Sequence, residues 1–291
     1  MESNISSFLG EAESIPKRVM PFIIMIDTSG SMEGKKIGAV NSAIEEMLPD
    51  LRKLSDENAD SEIRLAVMTF SSGVEWVTPG LVSLDSMDDW EPITTDWTTD
   101  MGAAFCELNA KLSKNGFMDR SSASSGFYAP VLMLLSDGDP TDDYKSGLKE
   151  LKENNWYKSA TKIAIAIGDD ANKDILKEFT NNSELVISVD KTSQLKKVVR
   201  FVAVTSSQIA SSSASVSSGS NAPVDLSDVS SATAEKQIAE SISNMLSEEN
   251  NTGYDLFSDD NEPKPAGSPL EIAESSGNGI IVDDDNEDDW E

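Results

Sequence analysis

Between residues 18 and 204, short apolar runs alternate with amphipathic stretches. The runs have the length and composition of buried strands, and the stretches between them carry apolar side chains at helical spacing. The predicted strands are residues 19–26, 63–70, 131–135, 163–167 and 185–189, and the predicted helices are residues 34–54, 101–112, 144–154, 174–179 and 195–204. Strands separated by helices pair in parallel and are covered on both faces. The sequence therefore predicts an α/β fold with a doubly wound, mostly parallel sheet and helices on both faces, and residues 75–77 as a short hairpin partner at its edge.

The composition changes near residue 205. Beyond this point serine and acidic residues replace the apolar runs, and the segment holds more than half of the net negative charge. A segment with few apolar residues and high charge buries too little surface to offset the entropy of ordering. The sequence therefore predicts an N-terminal lead over residues 1–17, a folded domain over 18–204 and a disordered acidic tail over 205–291.

The chain has a net charge of −29 and no histidine. Strong acidity disfavours nucleic acid and anionic membrane surfaces as partners, because their phosphates are repelled. The lack of histidine excludes a Ser-His-Asp triad, a Cys-His dyad and a histidine-ligated zinc site. Any metal held by this chain is therefore expected to be a hard cation bound through oxygen, such as Mg²⁺, Mn²⁺ or Ca²⁺.

The cysteine content and the N-terminal sequence indicate the compartment. Cys106 is the single cysteine, so no intrachain disulfide forms, and its apolar neighbours predict a place in the core. Low cysteine use is typical of reducing compartments. The first residues lack the basic and apolar regions of a signal peptide, and no apolar run reaches about 18 residues. We expect a cytoplasmic protein that does not span a membrane.

Three polar segments stand at the ends of predicted elements. Residues 27–31 (Asp-Thr-Ser-Gly-Ser) come directly after the first strand, and residues 136–139 (Ser-Asp-Gly-Asp) come directly after the third. Residues 98–102 (Thr-Thr-Asp-Met-Gly) lie at the start of a predicted helix. Ligands of open α/β sheets bind at the carboxyl ends of the strands. We therefore expect the carboxylates and hydroxyls of these segments to lie close together and to offer oxygen ligands to a cation.

The first segment has the spacing of a metal loop. Asp27, Ser29 and Ser31 alternate along the chain, so their side chains can converge on one point, and Gly30 lets the backbone bend tightly between them. Aspartate and serine are also typical of helix caps and Asx turns, so this segment alone is a weak indication. Its occurrence with two other polar segments at strand ends favours the metal site.

Residues 22–32, FIIMIDTSGSM, resemble the opening strand and first metal loop of von Willebrand factor A domains. Those domains carry a metal-ion-dependent adhesion site made of Asp-x-Ser-x-Ser, a threonine from a second loop and an aspartate from a third. Asp27, Ser29 and Ser31 match the first motif without departure. The resemblance covers roughly residues 18–204 and implies the same doubly wound α/β fold.

The second and third loops also resemble this family. The segment LLSDG matches the third loop and gives Asp137, while Thr99 with Gly102 matches the Thr-x-x-Gly pattern of the second. The family often has glycine before this threonine. This chain has Thr98 there, so Thr98 stays open as the alternative ligand.

The resemblance implies a role for each of these residues. Ser29, Ser31 and Thr99 would contact the ion directly, whereas Asp27 and Asp137 would hold its water ligands. The ion would be Mg²⁺ or Mn²⁺, with Ca²⁺ as a further candidate. A partner protein would supply a carboxylate, or a phosphorylated group, to the open position. The resemblance thus implies a binding and scaffolding module rather than an enzyme.

The short N-terminal lead, the DTSGSM loop and the TDMGAA segment are most similar to the bacterial TerY-like branch of the family. That branch is associated with tellurite-resistance gene neighbourhoods and with signalling sets that contain a serine/threonine kinase and a metal-dependent protein phosphatase. The resemblance therefore implies a scaffold in bacterial signalling, stress or defence, with such a kinase and phosphatase as partners.

Two other functions compete with binding. Asp27 after a buried strand, together with the Ser136-Asp137 segment, superficially resembles the Mg²⁺-dependent haloacid-dehalogenase phosphatases. Those phosphohydrolases need a second acid two residues after the nucleophile, and Ser29 stands at that position here. The remaining hypothesis is a purely structural domain whose metal site is empty.

Two tail segments are typical of docking motifs. The first is an apolar stripe at helical spacing, which consists of Ile238, Ile242, Met245 and Leu246. It predicts a short helix that either docks in a partner groove or has no role. The second is an apolar patch beside acidic residues, which docks on a partner or solubilises the tail, and it consists of Ile280, Ile281, Val282 and the nearby Trp290.

Overall fold

The computed structural model describes residues 16–87, 90–169, 171–189, 192–216, 233 and 235–245. The strands are β1 (Arg18–Asp27), β2 (Ser61–Ser71), β3 (Gly73–Trp76), β4 (Val82–Ser83), β5 (Val131–Ser136), β6 (Thr161–Ile167) and β7 (Val186–Val189). The helices are α1 (Lys35–Glu57), α2 (Met101–Lys111), α3 (Tyr144–Glu153), α4 (Asn155–Ser159), α5 (Lys173–Thr180), α6 (Thr192–Val216) and α7 (residues 235–245). Every strand and helix predicted from the sequence overlaps one of these elements, whereas β4 and α4 are additional.

The strands form a sheet in the order β3-β2-β1-β5-β6-β7, and β4 also pairs with β2. The neighbouring strands β2, β1, β5, β6 and β7 are parallel to one another, whereas β3 and β4 pair with β2 in antiparallel fashion. The predicted α/β fold with a mostly parallel sheet is therefore confirmed, and the predicted hairpin partner overlaps β3. The strand order changes direction between β1 and β5, because the chain continues from β1 to β2 on one side and from β5 to β6 on the other.

Both faces of the sheet are buried. In β1, Phe22, Ile24 and Ile26 pack into the apolar cluster formed with α1 and α6. Ile23 and Met25 pack into the cluster on the opposite face, formed with α2, α3 and α5. Successive residues of a strand point to opposite faces, and the side chains on both faces of β1 are fully buried. This explains why the central strand is an unbroken apolar run.

Cys106 is exposed, in contrast to its predicted place in the core. Its neighbours Phe105 and Leu108 on α2 are fully buried. Adjacent residues of a helix lie on different faces, so apolar neighbours in sequence do not by themselves place a residue in the core.

α6 continues to Val216, beyond the predicted boundary at residue 205. The described helix therefore extends past the predicted domain boundary, and the disorder of the tail stays a prediction. The buried Ser206 hydroxyl donates to the Val202 carbonyl oxygen at 2.6 Å, so serine is accommodated by bonding to the backbone of its own helix. No described helix, α6 included, is long and apolar enough to cross a membrane.

α7 packs on the apolar cluster that also contains α1 and α6. Its buried side chains are Ile238, Ala239, Ile242 and Met245. In the structure the described part of the predicted stripe packs on the core of its own chain, while the disorder of the tail and the docking of this stripe on a partner stay predictions. The helical spacing depends only on local sequence, whereas the surface that receives the stripe is formed by distant strands. Outside the described residues lie Leu246, Ile280, Ile281, Val282 and Trp290.

An ion pair joins α7 to β6. The Lys162 ammonium lies 3.2 Å from the Glu235 carboxylate, and the two side chains are 5% and 17% exposed. Lys162 also donates to the Ala160 carbonyl oxygen at 2.6 Å. Burial lowers the pKa of Lys162, and the Glu235 carboxylate acts in the opposite direction. α7 therefore supplies the anion that a buried cation of the sheet needs.

We expect the Glu235→Gln variant to have a free energy of unfolding about 1–3 kcal/mol below that of the wild type, because Lys162 then stays buried without a carboxylate. Chemical denaturation followed by circular dichroism measures the difference. Glu240→Gln on the same helix is the matched control, since the Glu240 side chain is 64% exposed. Its expected change is below about 1 kcal/mol. Equal losses in the two variants would contradict the role given to Glu235.

Candidate metal site

The polar segments meet where β1 and β5 lie side by side. Asp27 is the last residue of β1 and Ser136 is the last residue of β5. The Ser136 hydroxyl donates to Asp27 Oδ2 at 2.6 Å. The strand order changes direction at this point, and such points form the ligand crevice of open α/β sheets.

Hydrogen bonds fix the loop that carries residues 98–102 against the other two segments. The Asp96 amide donates to the Thr28 carbonyl oxygen at 2.7 Å, which links this loop to the first segment. The Thr99 amide donates to the Thr141 hydroxyl at 3.0 Å, and the Thr141 amide donates to the Thr99 carbonyl oxygen at 2.9 Å. The three loops therefore form one hydrogen-bonded group.

Three of the predicted ligands form a chain of hydrogen bonds. The hydroxyl oxygens of Ser29 and Ser31 are 3.0 Å apart, and Ser31 donates to Asp137 Oδ1 at 2.7 Å. In an octahedral site, Mg²⁺–oxygen bonds of about 2.1 Å place adjacent ligand oxygens about 3.0 Å apart, whereas Ca²⁺–oxygen bonds of about 2.4 Å place them about 3.4 Å apart. The serine pair has the spacing of an ordinary hydrogen bond, and that spacing is compatible with two adjacent ligands of a small divalent cation.

Asp27 is fully buried within the site. Its Oδ1 accepts a hydrogen bond from the Ser29 amide at 2.9 Å, and its Oδ2 accepts the one from Ser136. Burial raises the pKa of Asp27, and the Asp137 carboxylate raises it further, while these hydrogen bonds oppose the change. Each carboxylate oxygen has two lone pairs, so one on each oxygen stays available to a water molecule bound to an ion. This geometry suits the water-holding role that the family resemblance implies.

A lysine that the sequence analysis does not identify also contacts the site. The ammonium of Lys36, in the first turn of α1, forms an ion pair with Asp137 Oδ2. The Asp137 side chain has no exposed surface, so the ammonium compensates a fully buried charge. A cation at a helix N-terminus is disfavoured by the helix dipole. The pair of lysines that opens α1 was therefore a usable sequence signal for a carboxylate nearby.

The structure distinguishes the two candidate threonines. The Thr98 hydroxyl donates to the Ser71 carbonyl oxygen at 2.9 Å, at the end of β2. Thr99 is only 5% exposed, and no described residue forms a hydrogen bond with its hydroxyl. Of the two threonine hydroxyls, that of Thr99 is therefore the one that no described residue already engages and that is available to a bound ligand.

We expect the Thr99→Val variant to bind Mg²⁺ roughly 10- to 100-fold more weakly than the wild type, because it removes one oxygen ligand at nearly constant side-chain volume. Isothermal titration calorimetry measures the affinity. Thr98→Val is the matched control, since it removes the same group one residue earlier, where the hydroxyl bonds to the protein. A larger loss in Thr98→Val would identify Thr98 as the ligand instead.

Asp142 and Gly102 hold α2 next to the site. The Asp142 carboxylate accepts hydrogen bonds from the amides of Gly102 at 2.9 Å and Ala103 at 2.8 Å, which satisfies two amides in the first turn of α2. A Cβ atom on residue 102 would lie 2.7 Å from the Asp143 carbonyl oxygen. The glycine of the Thr-x-x-Gly pattern is therefore explained by the close approach of α2 to the loop that follows β5.

The structure shows no left-handed conformation at Gly30, where the sequence predicts a tight bend. Its φ is not positive, so the loop does not need the left-handed conformation that glycine favours. A Cβ atom at this position would lie 3.4 Å from the Asp96 carbonyl oxygen and 3.8 Å from that of Trp97. Both distances are ordinary van der Waals contacts, so neither the backbone conformation nor the neighbouring loop requires glycine at position 30.

The donor set fits a hard divalent cation. It consists of two carboxylates and three hydroxyls, which belong to Asp27, Asp137, Ser29, Ser31 and Thr99. In the part of the chain that the structure describes, no group of three or more cysteine or carboxylate side chains could hold a metal ion. A cation at this site would therefore depend on hydroxyl oxygens, and water and an external ligand would complete its coordination.

Comparison with known protein families gives a match over most of the folded part. The family model described as von Willebrand factor type A domain matches residues 22–201. Among curated proteins, the chain is 26% identical over 201 residues to inter-alpha-trypsin inhibitor heavy chain H2 of Sus scrofa, and 28% identical over 202 residues to that of Mesocricetus auratus. Each alignment covers 64% of this chain and 20% of the relative, so the chain spans a fifth of the length of these relatives.

Solved structures of low sequence identity also match part of the chain. The ArnB paralog VWA2 from Sulfolobus acidocaldarius is 20% identical with a TM-score of 0.46, and the match covers 64% of this chain and 46% of that chain. Proximal thread matrix protein 1 from the mussel byssus, solved with a zinc-occupied MIDAS motif, is 16% identical with a TM-score of 0.48. That match covers 65% of this chain and 48% of the mussel protein.

Proposed function

Because the chain belongs to the von Willebrand factor type A domain family, we propose that it is a metal-dependent protein-binding module whose candidate site acts as a metal-ion-dependent adhesion site. The observation that carries the proposal is the hydrogen-bonded group of Ser29, Ser31 and Asp137. In this proposal Ser29, Ser31 and Thr99 contact the ion. Asp27 and Asp137 hold its water ligands.

The charge of the site determines what it binds. Two carboxylates face the divalent cation, and one of them is already paired with Lys36. The bound ion therefore keeps a net attraction for a further anion. An aspartate or glutamate of the partner supplies that anion, and a phosphorylated group is the second anion of suitable chemistry. Carboxylate, hydroxyl and water oxygens suit Mg²⁺ or Mn²⁺, and Ca²⁺ is a further candidate.

The proposal assigns binding, and not phosphate hydrolysis, to this site. Ser29 stands two residues after Asp27, and its hydroxyl interacts with that of Ser31. A serine hydroxyl at this position does not act as the general acid that such a hydrolase needs. A Mg²⁺-dependent rate on p-nitrophenyl phosphate that is lost in the Asp27→Asn variant would establish the hydrolase instead.

The proposal extends to the cellular setting. The DTSGSM loop and the TDMGAA segment support a place in the TerY-like branch, and with it a role in bacterial signalling, tellurite-type stress or defence. The proposed partners are then a serine/threonine kinase and a metal-dependent protein phosphatase. The single cysteine supports a cytoplasmic setting. Identification of the proteins that co-purify with the tagged chain tests these partners, and binding proteins of unrelated classes would contradict them.

Calorimetric titration of the full chain with Mg²⁺ and with Mn²⁺ tests the metal site. We expect heat of binding for the wild type and its loss in the Ser29→Ala variant. No heat from either protein would favour a purely structural domain with an empty site. Affinity purification in Mg²⁺ and in chelator then tests the function, because a partner bound through the ion is retained in Mg²⁺ alone. A partner retained equally in chelator does not use the site.

A further inference from the structure

Trp97 is the most exposed large apolar side chain that the structure describes, at 89%. The other exposed large apolar side chain in the described ranges, Val77, is 37% exposed. Trp97 stands two residues before Thr99, on the loop that borders the candidate metal site. Its carbonyl oxygen lies near the first metal segment, 3.8 Å from the place that a Cβ atom on residue 30 would take.

The fold does not explain this exposure. Two other tryptophans are tied to the chain through their indole N–H groups, Trp76 to Glu107 at 2.8 Å and Trp90 to Asn41 at 3.0 Å. No described residue bonds to the indole of Trp97. An apolar ring held in water forgoes the free energy that its burial would contribute, and exposed apolar surface of this kind marks interaction sites.

The backbone on both sides of Trp97 is fixed. The Asp96 amide donates to the Thr28 carbonyl oxygen at 2.7 Å, and the Asp100 amide donates to the Ser71 carbonyl oxygen at 2.9 Å. The indole itself has two rotatable bonds. A partner that covers it therefore gains a large contact area for a small loss of conformational entropy.

The loops of the candidate site carry exposed carboxylates. Glu33, Asp96 and Asp139 are exposed, one on each of the three loops of the site. They belong to a chain whose net charge is −29. A partner that brings one carboxylate to the ion is therefore best matched when the rest of its contact surface is basic.

We propose that Trp97 is the apolar anchor of the partner-binding surface around the metal ion. The partner is a protein segment that presents one carboxylate to the ion and a pocket of aliphatic and arginine side chains to the indole. Tryptophan is enriched among binding hot spots, and arginine stacks favourably on its face. This inference rests on the proposed metal-dependent binding and adds a second contact to it. The ion supplies attraction for any carboxylate, and Trp97 selects among the proteins that carry one.

A phage-displayed library of random peptides, selected on the immobilised full chain in Mg²⁺ and eluted with chelator, supplies the probe. We expect the eluted peptides to share an acidic residue with neighbouring arginine and aliphatic residues. The synthetic form of the most enriched peptide is then titrated against three proteins. Its affinity is expected to fall roughly thirtyfold in Trp97→Ala. It is expected to stay at the wild-type value in Val77→Ala, which trims the other exposed apolar residue.

Mn²⁺ binding, measured by electron paramagnetic resonance, separates this inference from the metal proposal. Trp97→Ala is expected to bind Mn²⁺ as the wild type does, because the indole is not a ligand of the ion. Equal peptide affinity for the wild type and Trp97→Ala, or no peptide eluted by chelator, overturns the inference while Mn²⁺ binding persists. No Mn²⁺ binding by the wild type overturns the metal proposal itself, and this inference with it.

Discussion

The Asp27→Asn variant is expected to lose Mg²⁺ binding and, in the absence of metal, to be at least as stable as the wild type. Burial raises the pKa of Asp27, so the folded state holds this proton more tightly than the unfolded state does. The protonated Asp27 carboxyl group therefore stabilises the folded state at low pH. This contribution to the free energy of unfolding is lost as the pH rises from the carboxyl pKa of the unfolded state through the raised pKa of the folded state. At neutral pH the ionised carboxylate lowers the stability of the metal-free domain, and asparagine removes that charge in a side chain of the same shape.

In Mg²⁺, the wild type is expected to become more stable than the Asp27→Asn variant. A ligand that binds only the folded state stabilises it by about 2.7 kcal/mol when its concentration is about a hundredfold above the dissociation constant. The wild type gains this stabilisation. The Asp27→Asn variant does not, because a neutral amide has no charge to hold the waters of the ion. A residue that lowers stability until its ligand binds is typical of a functional site.

Urea denaturation in Mg²⁺ and in chelator, at neutral and at acid pH, measures both effects. In chelator, the advantage of Asp27→Asn should shrink as the pH falls, because the wild-type carboxyl group then becomes protonated in the folded state. Asp60→Asn is the control, since Asp60 is exposed, and it should follow the wild type under every condition. Mg²⁺ stabilisation of Asp27→Asn equal to that of the wild type would contradict the assignment of Asp27 to the site.

The sequence predicts the loops of the candidate site better than the contacts between them. Asp27, Ser29 and Ser31 are recognised from local spacing, and the structure places them in one hydrogen-bonded group with Asp137. Their role as metal ligands stays a prediction. The lysines that open α1 indicate a carboxylate nearby, but local spacing does not identify Asp137, which lies 101 residues from Lys36 in the sequence.

The fold shows a similar division between local and distant information. The parallel sheet is predictable because β1 is apolar on both faces, which only a doubly covered strand requires. α4 has five residues, too few for a periodic stripe, and its sequence signal is the cap in which Asn154 accepts the Trp156 amide at 2.8 Å. The place of α7 is not predictable, because an amphipathic helix has the same spacing whether its groove belongs to its own chain or to another.

The Ile238→Ala variant is expected to have a free energy of unfolding about 2–5 kcal/mol below that of the wild type. Ile238 is fully buried in the apolar cluster shared with β6, β7 and α6. Its truncation removes the transfer free energy of the lost atoms and leaves a cavity. Gln237→Ala is the matched control on the same helix, since Gln237 is exposed, and its change should stay within about 0.5 kcal/mol.

We propose that α7 belongs to the folded domain, in place of the predicted domain boundary at residue 204. The way in which Ile238→Ala lowers the stability tests this proposal. An integral α7 unfolds with the sheet, so Ile238→Ala lowers the midpoint of one cooperative transition and accelerates hydrogen exchange in β6 as well as in α7. An accessory α7 opens by itself, so exchange rises in α7 alone and the transition of the sheet stays at its wild-type midpoint. Lys162 argues for the first outcome. Release of α7 would leave its buried ammonium without the Glu235 carboxylate, and that cost opposes any opening of α7 that keeps β6 folded.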